Sequence, residues 1–240
     1  MTDAAVPVRR YDTIDSTNEE AKRLARSSER GPLWIFAKQQ TAGRGRRGRV
    51  WTSDEGNLFA TLLMEAPPNA AELCFVAGLV VAETLETFAP GLKAALKWPN
   101  DVLLQGRKAA GILLEMEAGA LAIGIGVNLV QHPENTEFPA TSLKAVSAAE
   151  ATPDIVLARL AGLWSTWYEV WRREGLAFIR KAWLARAAGL GEPIRARLSD
   201  GEVVGVFEDL DQDGALLLRR PDGVVQRITA ADLFFPDALK

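Results

Sequence analysis

The chain has 240 residues, 48% hydrophobic and 25% charged, with a formal net charge of -3. This is the composition of a globular protein with a sizeable core, which excludes disordered and collagenous classes, and the acidic balance argues against a surface built as a whole to hold polyanions. One cysteine, Cys74, excludes an internal disulfide, and with one histidine, His132, it leaves too few ligands for a Cys/His zinc site, so any metal must be held by oxygen.

Met1 to Arg10 lacks the apolar run of a secretory signal, and no segment has the ~18 consecutive apolar residues of a membrane span. The expected location is cytoplasmic. In chain order, Ser16 and Glu19 form a capping-box pattern ahead of a helix carrying Ala21, Leu24 and Ala25. Leu33 to Ala37 reads as a strand, followed by a basic glycine-rich loop from Thr41 to Val50 and a second strand from Asn57 to Leu63. Asn69 with Glu72 is expected to cap a helix running to about Phe88, with Cys74 packed in it. Ala95 to Trp98 leads to the turn Pro99-Asn100-Asp101. Val102 to Leu104 then opens a hairpin through Gln105-Gly106-Arg107, with its return strand at Ala110 to Glu117. Ala120 to Val130 is a further strand.

From Pro153 the period changes. Leu157, Leu160, Trp164, Trp167, Tyr168 and Trp171 recur at spacings of three and four, and Gly175 divides this helix from a second reaching about Ala187. The stripe assigns these aromatic residues to the core. Ile194 to Leu198, Val203 to Leu210, Ala215 to Arg219 and Val224 to Ile228 alternate as short strands, punctuated by Asp200-Gly201, Asp213-Gly214 and Asp222-Gly223 turns. Two units are expected: residues 1–188, a mixed or antiparallel sheet backed by helices (α+β), and residues 189–240, a small β-barrel-like domain.

Gln40 to Arg49 concentrates four arginines among three glycines. Gly43, Gly45 and Gly48 satisfy a dinucleotide-binding spacing, but that motif must open a helix within a βαβ unit, whereas this loop runs from strand to strand. Glycine allows close backbone approach and arginine gives bidentate hydrogen bonds, so the loop suits a phosphate clamp. These ten residues alone also admit a nucleic-acid patch or a solvated basic loop. Downstream, Lys97-Trp98-Pro99-Asn100-Asp101 and Arg107-Lys108 put two lysines near one hairpin, where one can neutralise charge developing in nucleotidyl transfer.

Taken together, Ser16-Thr17-Asn18, Gln40 with GRGRRG (43–48), KWPND (97–101), Lys108 with Gly111-Ile112-Leu113, and Gly124-Ile125-Gly126-Val127-Asn128 resemble the biotin–protein ligases in order and spacing. The likeness spans about Tyr11 to Leu129, and the helical pair and C-terminal β segment are also similar. It implies a fold like that of class II aminoacyl-tRNA synthetases and biotin ligases, with an SH3-like C-terminal barrel. It further implies an enzyme that forms biotinyl-5'-adenylate from biotin and ATP with Mg2+, then transfers biotin to a lysine of a biotin carboxyl carrier domain of acetyl-CoA carboxylase type.

The resemblance places Ser16, Thr17, Asn18 and Gln40 at biotin, with Gly45 in the binding loop and with Gly111 and Gly126 letting the ligand approach the backbone. Arg44 and Arg46 would embrace the biotin carboxylate and α-phosphate, and Lys108 would bridge the same groups, Arg46 and Lys108 being the catalytic pair. Trp51, Lys97, Asn100 and Asn128 would surround the nucleotide, and Asp101 would help to hold magnesium. Ala109 departs from the larger apolar residue of many relatives. The motifs begin too near Met1 for a helix-turn-helix domain, so a monofunctional ligase without a DNA-binding domain is expected. The oligomeric state, a homodimer included, is left open. Rival readings are a lipoate–protein ligase and a nucleic-acid-binding module using the basic loop.

Overall fold

A computed structural model describes residues 6–147 and 150–235; the outermost ends of the two expected units lie outside the described residues. The first unit is built on a seven-stranded sheet. Its strands are β1 (Val8–Ile14), β2 (Leu33–Gln40), β3 (Leu58–Glu65), β4 (Ala94–Lys97), β5 (Asp101–Leu104), β6 (Arg107–Glu117) and β7 (Ala120–Val127). The order is β1-β2-β3-β7-β6-β5-β4, with β1 parallel to β2 and each other neighbouring pair antiparallel.

Strand alternation sends side chains to two faces. Trp34 and Phe36 face the main core with the helix α2 (Leu73–Phe88), while Leu33 and Ile35 face a smaller cluster with Ala21 and Ala25 of the helix α1 (Thr17–Arg26). α2 is apolar on nearly every side and is buried accordingly, packed against the long helix α4 (Pro153–Leu184). A short helix, α3 (Leu143–Val146), precedes it.

The second unit is a five-stranded antiparallel sheet of order β11-β10-β9-β8-β12. It comprises β8 (Pro193–Arg197), β9 (Glu202–Leu210), β10 (Leu216–Arg219), β11 (Val225–Ile228) and β12 (Asp232–Phe234). The two units share one continuous buried cluster. The Trp98 indole donates to the Gly214 carbonyl at 3.0 Å, and the Leu96 backbone is bonded on both sides to Arg186 and Ala188.

Some expectations need correction. Asn69 does not cap a helix through its side chain: a single 3-10 turn, Ala70–Glu72, precedes α2, and the Glu72 carboxylate instead accepts from the Trp171 indole at 2.6 Å. Only half of the expected capping box forms, because Ser16 Oγ accepts from the Glu19 N–H while the Glu19 carboxylate turns to Lys22 and Arg44. Trp164 is buried, but Trp167 and Trp171 are half-buried with indole N–H groups on Glu83 and Glu72. α4 kinks at Gly175, where φ is 70° and ψ is -173°, and ends at Leu184. β1 and β12 carry no clear apolar alternation; they exist because neighbouring strands supply their hydrogen bonds.

Candidate functional site

The site begins where α1 meets the ends of β2, β6 and β7. Thr17 donates to Gln40 Oε1 from its backbone N–H at 2.8 Å and from its hydroxyl at 3.1 Å, and Gln40 Nε2 donates to Ser53 Oγ at 2.9 Å. Thr61 Oγ1 lies 2.8 Å from Thr17 Oγ1 and 2.7 Å from Asn18 Oδ1, and its one hydroxyl proton serves one of them at a time. Asn18 Nδ2 donates to Glu115 at 2.9 Å. Asn18 is thus held inside the protein network, with Ser16 and Thr17 beside it on the wall of the cavity.

Glycine is required under these side chains. Gly124 and Gly126 share one face of β7, and a Cβ would fall 2.2 Å from Asn18 at the first and 2.6 Å from the Trp51 indole at the second. Trp51 therefore lies flat on a shelf made by Gly126 and its cross-strand partner Gly111. The two glycines seat this indole, whose buried Nε1 has no hydrogen-bond partner among the described residues.

The basic loop folds as a hairpin: Gly45 N–H donates to Arg49 O at 2.7 Å, and Trp51 N–H donates to Gly43 O at 2.9 Å. At its tip a 3-10 turn spans Arg46–Gly48, with Arg47 at φ 56°. Its arginines meet different partners. Arg44 is held by Glu19 and Glu115, whereas Arg47 and Arg49 both reach Asp232. Arg46 is half-buried and, among the described residues, donates only to the neutral Asn100 Oδ1, at 3.1 Å. Burial lowers its pKa from the ordinary arginine value, the nearby anionic groups opposing that shift.

Asn100 is fixed by its amide, which donates to Ile112 O at 2.7 Å. Lys108 Nζ is 2.7 Å from Asp101 Oδ1 and stands over the Trp51 ring at 5.3 Å. Lys97 is buried with no carboxylate partner among the described residues; its ammonium is 3.4 Å from the centre of the Phe138 ring and 5.9 Å from that of Phe234. Burial brings its pKa down to about 8. Asn128, expected at the nucleotide, gives its Nδ2 to Thr141 O at 3.0 Å and so also pins the following segment.

These residues line a single cavity of about 360 Å³, a size suited to a small molecule. All the residues expected at biotin or nucleotide border it, together with Arg49 of the basic loop, to which the resemblance assigns no ligand, and three that no motif signalled: Phe138, Asp232 and Phe234. The last two come from β12, some 180 residues after the loop they face, so only tertiary structure brings them in. Glu115, two residues after Leu113 in the return strand, lies behind the cavity wall, where it pairs with Lys22 and Arg44; no motif signals it.

Magnesium fits less well as a resident ion. Among the described residues no three His, Cys, Asp or Glu side chains are grouped to hold a metal, and Asp101 is committed to Lys108. An ion arriving with ATP would be held chiefly by phosphate oxygens and water.

A mixed sheet thus carries a polar cavity at one helix N-terminus, with cations fixed around it and residues of the C-terminal antiparallel sheet in its wall. The biotin/lipoate A/B protein ligase family matches residues 11–130, and the biotin protein ligase C-terminal domain matches residues 189–235. The chain is 44% identical to the biotin--[acetyl-CoA-carboxylase] ligase of Paracoccus denitrificans over 92% of its own length and 97% of the relative's. It is 33% identical to the bifunctional ligase/repressor BirA of Escherichia coli over 89% of this chain and 69% of that one. Among solved structures, the Aquifex aeolicus biotin protein ligase in complex with biotin and ATP superposes with a TM-score of 0.84 at 28% identity, covering 95% of this chain and 97% of the other. The chain belongs to the biotin/lipoate A/B protein ligase family and, within it, to the biotin protein ligases. No helix among the described residues is long and apolar enough to cross a membrane.

Proposed function

We propose that this cavity joins biotin to ATP as biotinyl-5'-adenylate and then passes the biotinyl group to a lysine of a biotin carboxyl carrier domain. The observation that carries the reading is the pair of cations that have no carboxylate partner among the described residues, Arg46 and Lys97, set in the same cavity as the polar Ser16, Thr17 and Gln40. The polar group suits a ureido head, and Gly111 and Gly126 leave backbone within reach of a flat ligand once Trp51 yields its seat. Gly45 lets the loop pass close over it.

In the first step a biotin carboxylate oxygen attacks the α-phosphorus of ATP, a C–O–P linkage forms, and the bond to the β-phosphate breaks with release of pyrophosphate. Charge gathers at one centre, so cations fixed beforehand lower the barrier. Arg46 and Lys108 are assigned to the carboxylate and α-phosphate, with Asp101 positioning Lys108. Lys97, Asn100, Trp51 and Asn128 are assigned to the nucleotide side, and Arg44 to the biotin side, where it must exchange Glu19 and Glu115 for ligand. Magnesium enters as part of MgATP. In the second step the neutral acceptor amine attacks the acyl carbon, AMP leaves, and the new amide nitrogen loses its extra proton.

The basic loop does not form a face of free cations suited to nucleic acid: Arg44, Arg47 and Arg49 are paired to carboxylates around the cavity. Mass spectrometry of the chain incubated with biotin, MgATP and a carrier domain is expected to show one biotinyl group on one carrier lysine. A carrier that gains lipoate but never biotin would overturn the substrate assignment.

Lys97 makes a pH prediction. Its ammonium loses its proton as pH rises through about 8, so kcat/KM for ATP is expected to fall between pH 7 and 9. The Lys97→Arg variant should flatten that fall. Stability moves oppositely: the unfolded lysine, near 10.5, binds more protons than the folded one across this window, so this group's contribution to stability rises with pH. Thermal midpoints measured alongside kinetics separate the two effects. A kcat/KM profile equally steep in the Arg variant would remove Lys97 from the nucleotide site.

A further inference from the structure

The tip of the basic loop is tied to the C-terminal sheet. Asp232, the first residue of β12, receives Arg49 at 2.6 Å, Arg47 at 3.3 Å and Arg197 at 3.6 Å, with only 16% of its side chain exposed. Arg197 in turn grips Glu137 through two hydrogen bonds, which ties the segment before α3 into the same cluster. On the opposite limb of the hairpin, Arg44 is bound to Glu19 and Glu115. Arg46 stands between the two anchor points with no carboxylate of its own and lines the cavity.

Isolated, exposed ion pairs hold little. Asp232 differs because one largely buried carboxylate serves guanidinium groups from the loop and from β8. Burial alone would raise its pKa, but Arg49, Arg47 and Arg197 outweigh that and hold the carboxyl below its ordinary value, so it is an anion at neutral pH. The pairing also has a backbone to restrain. Arg47 sits at φ 56°, in the left-handed region that disfavours a side chain, and this conformation persists only where surroundings hold it.

We propose that Asp232 is a positioning residue for adenylation: by gathering Arg47 and Arg49 it holds the loop tip over the cavity, leaving Arg46 as the arginine free to meet phosphate. The C-terminal sheet is then a working part of the catalytic site, supplying one of the loop's two anchors. The proposal rests on reading the cavity as the biotin and ATP site.

Trypsin cuts after arginine and reports the loop directly, because cleavage of a transiently opened segment follows how often it opens. In the full chain without ligand, Asp232→Asn is expected to speed cleavage after Arg46, Arg47 and Arg49 by about fivefold or more. Its cooperative melting should be retained with at most a modest fall in thermal midpoint, since a carboxylate held below its ordinary pKa contributes some stability, and KM for ATP should rise about tenfold with a smaller change in kcat. Arg49→Gln, which removes the shortest contact from the exposed side without touching β12, should speed cleavage after Arg46 and Arg47 and raise KM for ATP likewise, keeping the test decisive if the Asp232 variant folds poorly. Unchanged cleavage and KM in Arg49→Gln and in a folded Asp232→Asn would overturn the proposal. So would a fall in KM, since Asp232 would then be competing with phosphate for the arginines. Biotin-dependent pyrophosphate release by the unaltered chain tests the underlying function separately, and the ligand-free proteolysis still decides the tether if that release fails.

Discussion

Replacing Arg46 with alanine is expected to slow biotinyl-adenylate formation by about 10²- to 10³-fold, the usual loss when a fixed stabilising donor is removed from a transition state. The thermal midpoint should hardly move. Among the described residues Arg46 forms no ion pair and its only hydrogen bond is to Asn100, so its removal strands no buried charge. Lys108 is different, although it occupies a similar place in the motifs. Its ammonium neutralises the largely buried Asp101, and Lys108→Ala leaves that carboxylate unpaired, so activity and stability should both fall. Comparing the two variants by pyrophosphate release and thermal melting checks the distinction. An Arg46→Ala protein losing stability in proportion to activity would show that the guanidinium supports the fold rather than the chemistry.

The largest stability loss is expected at Trp183. Its side chain is 2% exposed, meets Phe75 edge-to-face at 5.6 Å between ring centres, and lies against Gly78 of α2. Trp183→Ala should destabilise the chain by about 3 to 5 kcal/mol, through lost burial and the cavity left where α4 meets α2. Trp167→Ala should cost clearly less, because that ring is half-buried and its indole N–H serves Glu83 at the edge of the same interface. Chemical denaturation of both variants measures the difference, and equal losses would mean that exposure does not rank these two sites.

Both comparisons show how far the pattern of residues reaches. The three-and-four spacing of Leu157, Leu160 and Trp164 correctly marks a buried stripe, but the same spacing carries Trp167 and Trp171 to its border, where the partner surface runs out. Periodicity gives a direction around the helix axis and says nothing of how wide the opposing surface is. The failed cap at Asn69 has a similar origin. Its spacing to Glu72 is right, yet the Trp171 indole from α4 claims the Glu72 carboxylate.

The sequence by itself determined the local order of this protein and, through a family resemblance, its kind. Alternation and helical spacing set the main strands and helices, Asp-Gly turns mark the C-terminal sheet, and the motifs from Ser16 to Asn128 carry the likeness to the biotin–protein ligases. Tertiary structure alone decided which charges are available. Arg44, Arg46, Arg47 and Arg49 look equivalent along the chain, but carboxylates from α1, β6 and β12 neutralise three of them and leave Arg46 open. The physical reason is that ion pairing depends on distance through space, and Asp232 lies 183 residues along the chain from the Arg49 it holds.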